Sequence, residues 1–444
     1  MKIAYFSPLN PQRSGISDYS EELLPHLAGR AEIDLFVDGF RPLNKSLGAA
    51  HRCFDYQNAP ENLTRLPDYD AIIYHMGNDH RYHAGIYRTA RAFPGIIVLH
   101  DYALQTFFWG LANADKNMRL YLDELDACSD AALHPTEAAA RRPGRINAAQ
   151  SEPLRFPLNC RIARNAEALI VHSEWSRARL SVIAPAVPIA HINHHVLPED
   201  DLGERAPLRP NKRRGVELAS FGHITTEKGI ERTLRVLASL REHYQFHYTL
   251  VGQRDSFDVL EIVRSCHLTD RVTMTGYVSL DEFQRRIAGT DVALNLRDRT
   301  VGETSGTVCR VMAAGVPCVV TNVGWFAELP DDAAIKIDVG ENAEANLRTC
   351  LIKLMEDASL RQRIGENARR YVRESHAIEK SANEYLEFIG EIVAQRERRS
   401  FVRRVSSEIA LLGIKPADEI FLRGVATEIA LLTPAQLFEA KDNH

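Results

Sequence analysis

Residues 291–317, Asp-Val-Ala-Leu-Asn-Leu-Arg-Asp-Arg-Thr-Val-Gly-Glu-Thr-Ser-Gly-Thr-Val-Cys-Arg-Val-Met-Ala-Ala-Gly-Val-Pro, decide how this chain is built. An apolar run, Asp291–Leu296, gives way to a polar loop rich in small residues, Arg297–Thr307. The spacing of Val308–Ala314 then predicts a helix that ends at Gly315, with Pro317 just beyond it. Strand, loop and helix in that order make one βα unit of a parallel sheet, whose strands are apolar throughout because both faces are covered.

The same rhythm recurs along the chain. Strands are expected at Ile3–Phe6, Ile33–Val37, Ala71–His75, Ile96–His100 and Ala168–His172. The series pauses at 197–215, rich in Pro and charge, which reads as a domain boundary. It resumes at Glu217–Phe221, His247–Val251, Val272–Thr275, Asp291–Leu296, Pro317–Thr321 and Ala334–Ile337. The expected architecture is α/β: two Rossmann-like doubly wound domains facing a cleft, 1–200 and 201–378, followed by a helix at 379–399 returning to the first domain. A helical tail, 400–444, carries an imperfect repeat, Ser407–Leu412 and Thr427–Leu432. The tail reads either as two short antiparallel helices or as a docking surface through which copies of the chain would associate. Between the fourth and fifth strands, residues 105–159 insert a helical segment with a basic patch at Arg141–Arg145, either a wall for a large partner or a plain excursion.

Composition narrows the class. The 444 residues are 45% hydrophobic and 25% charged with a net charge of −5, so neither a disordered chain nor a nucleic-acid binder is expected. Seven cysteines form no CxxC pair or zinc spacing, which suits a reducing cytoplasm. The N-terminus lacks the apolar core of a signal peptide, and no run reaches the ~18 apolar residues of a membrane span.

Ligands of doubly wound sheets bind at the carboxyl ends of the strands. There the first domain offers Gly15 before a helix opening near Ser17, and the strand-end pairs His100-Asp101 and His172-Ser173. The second offers Gly222 and His223, then Lys228 at a helix start, where a lysine and the helix dipole together suit phosphate. In the loop quoted above, Thr304 or Ser305 can cap the helix, and Gly306 leaves room for a diphosphate against free N–H groups. Glu303 would repel phosphate but accept hydrogen bonds from hydroxyls, so a phosphate cradle rimmed by a carboxylate suggests a nucleotide-sugar. His75, His80, His83, His194 and His195 lack a shared-face helical spacing, and no Asp-x-Asp stands at a strand end, so no metal is expected.

Over roughly residues 1–395 the chain resembles the GT-B glycosyltransferases, specifically the retaining family 4 group. Ser14-Gly15-Ile16-Ser17 with Tyr19 and Glu22 is similar to the family's N-terminal glycine loop, Leu99-His100-Asp101 to its strand-end histidine motif, and Val171–Ser176 to its V-x-S-x-x-S segment. Phe221-Gly222 with Glu227-Lys228-Gly229 resembles its phosphate motif, with His223 where arginine is usual. Val251-Gly252 resembles the loop under the donor, and Thr275–Val278 the segment lining the base. Ala313–Pro317 resembles the end of its E-x7-E motif, although Arg310 replaces the second Glu and Glu303 sits one place from the first. A bacterial subgroup with G-E-T/S-S-G in place of that motif is similar, as are Phe156–Asn159 and Gly324–Glu328.

The resemblance implies transfer of a hexose-type sugar, with retention, from a nucleoside diphosphate-sugar to an acceptor hydroxyl, with no metal or other cofactor. It implies catalytic roles for Glu303, His100 and Lys228. Donor binding would fall to Gly15, Gly222, His223, Lys228, Gly252, Tyr277, Val278, Glu303, Thr304, Ser305, Gly306, Thr307 and Arg310, the last pairing Glu303 or reaching a phosphate. Acceptor contacts would come from Asp101 and Ser17. The acceptor class it implies is a sugar or lipid-linked saccharide in bacterial surface polysaccharide or glycolipid synthesis. The basic stretches Arg141–Arg145 and Arg396–Arg404 would then meet the inner face of the plasma membrane. A non-catalytic GT-B partner subunit and a nucleotide-sugar epimerase are the alternatives.

Overall fold

The computed structural model describes residues 1–128, 150, 152–197, 215–254, 258–411 and 418–431. Two wholly parallel sheets form the core. The first contains β1 (Lys2–Phe6), β2 (Glu32–Val37), β3 (Cys53–Asp55), β4 (Ala71–Met76), β5 (Ile96–Leu99), β6 (Ala168–Val171) and β7 (Ile189–His191), in the order β3-β2-β1-β4-β5-β6-β7. The second contains β8 (Val216–Phe221), β9 (Phe246–Val251), β10 (Val272–Gly276), β11 (Val292–Asn295), β12 (Cys318–Thr321) and β13 (Ile335–Ile337), in the order β10-β9-β8-β11-β12-β13. Both sheets reverse direction of winding once, between β1 and β4 and between β8 and β11. Crevices open at those switch points.

Every expected strand is present within one or two residues of its expected ends. The short edge strands β3 and β7 were not expected: their three residues each are only half-buried or exposed and carry no apolar run. Helices cover both faces of each sheet, as parallel strands require.

The chain crosses between domains twice, side by side. Val196 N donates to His376 O at 2.9 Å, and Val196 pairs as an isolated parallel bridge with Ala377. Asn193 Nδ2 donates to Ser375 O at 3.0 Å, and Ser381 Oγ to Asn193 O at 3.0 Å. Beyond the second crossing, Ile378, Ala382, Tyr385, Leu386, Ile389, Ile392 and Val393 recur at helical spacing and bury against the first sheet. This is the expected returning helix, but it has no break near residue 399: it runs as one helix over Ile378–Leu411. The first copy of the tail repeat is therefore the end of that helix rather than a short helix of its own, while the second lies in Glu419–Leu431.

The insertion begins with helices Gln105–Ala114 and Met118–Ala127; the patch Arg141–Arg145 lies outside the described residues. Cys128 and Cys160 form a disulfide with Cα atoms 5.3 Å apart, contrary to the expectation of unpaired thiols. Their separation of 32 residues gave no spacing signal; packing of the flanking helices brings them together.

The turn after the helix Gly306–Ala313 shows how tightly the second domain is closed. Gly315 has φ +70°, and its N–H bonds Met312 O while Val316 N bonds Val311 O, a glycine-terminated helix end. The helix Ala358–Ser375 crosses this turn at Gly365, where an added Cβ would lie 1.9 Å from Gly315 O. Helix propensity alone favours alanine over glycine by ~1 kcal/mol. We expect Gly365→Ala instead to destabilise the protein, by about 1–3 kcal/mol from overpacking, measured as a lowered urea midpoint.

Candidate active site in the interdomain cleft

The carboxyl ends of the two sheets face one another, and loops from both meet there. After β8, Gly222 takes φ +89°, a backbone state that side chains rarely adopt. A Cβ at this position would lie 2.8 Å from Lys228 Nζ and 3.6 Å from Thr307 Oγ1. The glycine backbone, an ammonium and a hydroxyl thus face one small space. Lys228 follows a single 3₁₀ turn, Thr226–Lys228, and donates to Phe221 O at 2.9 Å. Burial, with the neighbouring Arg297 charge, pushes its pKa down to about 7. Gly252 lies beneath: its Cβ would be 2.1 Å from Gly222 O, so its glycine serves close loop packing.

Across the crevice, Ser305 caps the helix Gly306–Ala313, accepting from Val308 N at 3.3 Å. Thr304, the other capping candidate, instead reaches the first domain and donates to His172 O at 3.1 Å. Glu303 is braced within its own loop. Its Oε1 accepts from Arg297 Nε at 2.7 Å, and its Oε2 from Thr300 Oγ1 at 2.7 Å and Val301 N at 3.0 Å. Burial opposes ionisation of Glu303, yet the Arg297 guanidinium holds its carboxyl below the usual range. Of about four lone-pair sites on a carboxylate, three are taken. Gly302, with φ +76°, is a packing requirement: its Cβ would meet Trp175 Cζ3 and Tyr102 Cβ at 2.6 Å each.

The first domain contributes His100 and Asp101 on a loop held by the Phe156–Asn159 segment. Asn159 Nδ2 donates to Tyr102 O at 2.6 Å, and Leu104 N to Pro157 O at 2.7 Å. Asp101 accepts from Asn78 N at 2.8 Å, and burial together with the Glu303 charge pushes its carboxyl up to about 7. Gly15 opens the helix Gly15–Ala28, with open space where a Cβ would stand. Ser17 does not reach the cleft: it is buried and donates to Gln12 O at 2.6 Å, bracing the loop from beneath.

Five donor-site expectations meet different surroundings. His223 is exposed. Tyr277, 60% exposed, carries the Arg13 guanidinium of the first domain 4.8 Å from its ring centre, and Val278 packs against the apolar core of the second domain. Gly306 is covered by His194, whose ring would lie 2.8 Å from an added Cβ, so the room there holds an imidazole in this structure. Arg310 does not pair Glu303: its Nη2 donates to Glu22 Oε1 of the first domain at 2.7 Å.

Glu22 and Arg297 are site residues that the sequence reading did not single out for a role. Arg297 had a signal, as the first residue after Leu296 at a switch-point strand. Glu22 stood in the N-terminal motif, but nothing local announced its pairing, because Arg310 lies 288 residues away. A further inter-domain contact joins two motifs: Glu328, of Gly324–Glu328, accepts from Glu174 N at 3.1 Å and from Trp175 N, capping the helix Glu174–Ile183.

Tyr19 lies at the centre of a box of imidazoles. Its ring centre is 4.2 Å from that of His195, 4.8 Å from His100, 4.9 Å from His194, 5.2 Å from His172 and 5.8 Å from His75. Its hydroxyl bonds Tyr385 of the returning helix at 2.8 Å. His75, His194 and His195 thus do converge, but no group of metal-ligating side chains with suitable geometry occurs among the described residues. Burial pushes the pKa of all five histidines down, to about 3 for His172, and of His83 and His376 to about 4. They are held neutral.

A histidine with a depressed folded pKa stabilises fully above its unfolded pKa of about 6.5, and this stability is lost as pH falls toward the folded value. Between pH 6.5 and about 4, unfolding therefore takes up protons at these sites. Urea titrations at pH 7.5, 6.5 and 5.5 are expected to show the smaller loss, about 0.3–0.4 kcal/mol per buried histidine, across the first interval. Across the second the loss should be on the order of 1 kcal/mol per buried histidine.

With that geometry in view, comparison with known proteins is informative. Residues 207–371 match the family model described as Glycosyl transferases group 1. An uncharacterized glycosyltransferase of Methanocaldococcus jannaschii is 30% identical over 110 residues, 24% of this chain and 27% of that protein, so the match spans about a quarter of the relative's length. The fold is similar to that of sucrose-phosphate synthase from Thermosynechococcus elongatus, at TM-score 0.64 and 16% identity, covering 89% of this chain and all of that one. It is similar also to Anabaena HepE in complex with UDP-glucose, at TM-score 0.58 and 17% identity, covering 88% and 100%. The chain thus has the GT-B fold of glycosyltransferases, and its second domain carries the group 1 glycosyl transferase pattern.

Proposed function

We propose that the protein transfers a hexose-type sugar from a nucleoside diphosphate-sugar to an acceptor hydroxyl, with retention of anomeric configuration. The observation that carries this reading is the shared space of Gly222, Lys228 and Thr307 at the switch point of the second sheet, opposite His100 and Asp101 of the first. A helix N-terminus and a lysine at a switch-point crevice suit a diphosphate. HepE, of the same fold, binds UDP and UDP-glucose.

In the proposed reaction, charge grows on the departing diphosphate as the sugar acquires oxocarbenium character. Lys228 and the first turn of Gly306–Ala313 stabilise that charge, a preorganised electrostatic effect and usually the largest catalytic contribution. Glu303 has one lone-pair site left for a sugar hydroxyl, and its brace to Thr300 and Val301 fixes where that hydroxyl must stand. His100, neutral and bonded through Nε2 to His75 Nδ1 at 3.0 Å, faces the sugar from the other domain. Asp101, titrating near neutrality, accepts the acceptor's hydroxyl hydrogen bond. The acceptor proposed is a lipid-linked saccharide of a bacterial surface polymer. Among the described residues no helix is long and apolar enough to cross a membrane, so attachment would be peripheral. Arg396 does not serve it, being engaged by Glu167 and Asp70 O.

A thermal-shift panel of UDP, GDP, dTDP, ADP and CMP tests the donor site: one diphosphate should stabilise the protein, and Lys228→Ala should abolish the shift. A bound diphosphate favours charged Lys228, whose free pKa is about 7, so binding takes up a proton above that pH. Affinity is accordingly expected to fall by about tenfold per unit between pH 7.5 and 9. No shift with any of the five would refute the reading. Transfer itself, followed by product NMR with the matching nucleotide-sugar, is expected to give the donor's anomer and to persist in excess EDTA.

A further inference from the structure

We infer that Arg297 is the second cationic ligand of the donor diphosphate, in the role that neither His223 nor Arg310 is placed to fill. The inference rests on the donor-site reading above and deepens it. β8 and β11 are the neighbouring strands that flank the switch point of the second sheet, and each delivers one cation: Lys228 from the loop after β8, Arg297 from the loop directly after β11. The two loops are in contact. Asp298 N donates to Glu227 O at 2.7 Å, and a Cβ on Gly229 would lie 3.0 Å from Leu296 Cβ.

Arg297 is held in place from several sides. Its backbone N–H bonds Thr321 Oγ1 at 2.7 Å, and its Nη1 donates to Leu296 O at 3.0 Å. Its Nε donates to Glu303 Oε1, and Phe326 lies with its ring centre 5.2 Å from the guanidinium carbon. The side chain is 9% exposed. Two neighbouring cations with one carboxylate between them leave an excess positive charge in a low-dielectric crevice. Such an arrangement is costly unless an anion joins it. Burial first, and the Arg297 charge second, push the pKa of Lys228 down to about 7. The other candidate cations are placed elsewhere: His223 is exposed, and Arg310 is committed to Glu22. A guanidinium edge not used by Glu303 can bind a phosphate through paired donors, which an imidazole cannot. On this account Glu303 has a second function as a positioning residue: it orients Arg297 beside Lys228 and keeps the site from repelling its own lysine.

The test uses the full chain and whichever nucleoside diphosphate of UDP, GDP, dTDP and ADP stabilises the wild type. Dissociation constants for that diphosphate and for its nucleoside are measured on wild type, Arg297→Gln, and Arg297→Gln with Glu303→Gln. The double variant removes both halves of the ion pair, so no lone buried carboxylate threatens the fold. Both variants are expected to bind the diphosphate about 10- to 100-fold more weakly, the loss typical of a charge-assisted contact, with nucleoside affinity unchanged. Wild-type diphosphate affinity in the double variant would overturn this proposal and leave the donor site standing. So would an equal loss for nucleoside and diphosphate, which would mark a general disturbance of the cleft. Failure of the wild type to bind any of the four would overturn the donor-site reading and this proposal together.

Discussion

Everything in the cleft depends on the hydrogen bond from Val196 N to His376 O, which ties the outgoing chain to the returning one. Because both crossings lie side by side, the two domains are joined along a single line rather than at two separated points. Asn193, His194 and His195 precede one crossing, and Ser375 and His376 the other. His376 Nδ1 donates to His194 O at 2.6 Å, so the imidazole box and the crossing are one structure. Side chains close to that line are crowded from both domains. That crowding is why the histidines there are neutral and why a tyrosine hydroxyl, Tyr19, seeks its partner in the returning helix.

Away from the crossing, the facing surfaces are matched by charge and by glycine. Arg310 meets Glu22, Glu328 caps a helix of the first domain, and Ala103 N bonds Val301 O at 2.8 Å. Gly302 and Gly306 let Trp175, Tyr102 and His194 approach the second domain's backbone. The loop 297–307 is therefore held by both domains at once. Under the proposed function this loop orients the donor, so the acceptor domain fixes part of the donor site without touching the nucleotide.

The strands were legible from sequence because wholly parallel sheets demand continuous apolar runs, and Ile3–Phe6 or Val292–Asn295 can hardly be anything else. Lys228, Glu303 and the cap before Gly306 were legible because they follow such strands at fixed places. What escaped reading depends on distance along the chain. Glu22 and Arg310, or Cys128 and Cys160, become partners only through packing. Tyr19 draws five histidines from four separate segments, and no local spacing announces that. Ser17 misled for the opposite reason: its position near a helix start is right for the cleft, but the loop folds over it and uses its hydroxyl. Gly306 read as room for a diphosphate, whereas the His194 ring occupies the space it leaves in this structure.

An arginine rather than a glutamate at position 310 has a physical consequence for how the domains meet. A carboxylate on that helix face would stand opposite Glu22, and two half-buried carboxylates facing each other would drive the domains apart. With arginine there, the same face attracts. Against its own burial, Glu22 is held ionised by His195, whose Nε2 lies 3.6 Å away, and by Arg310. The helix that begins at the proposed anion site thus ends as an inter-domain fastening. With Arg310 spent on that fastening, the cations left beside the proposed anion site are those at the strand ends beneath it, Lys228 and Arg297.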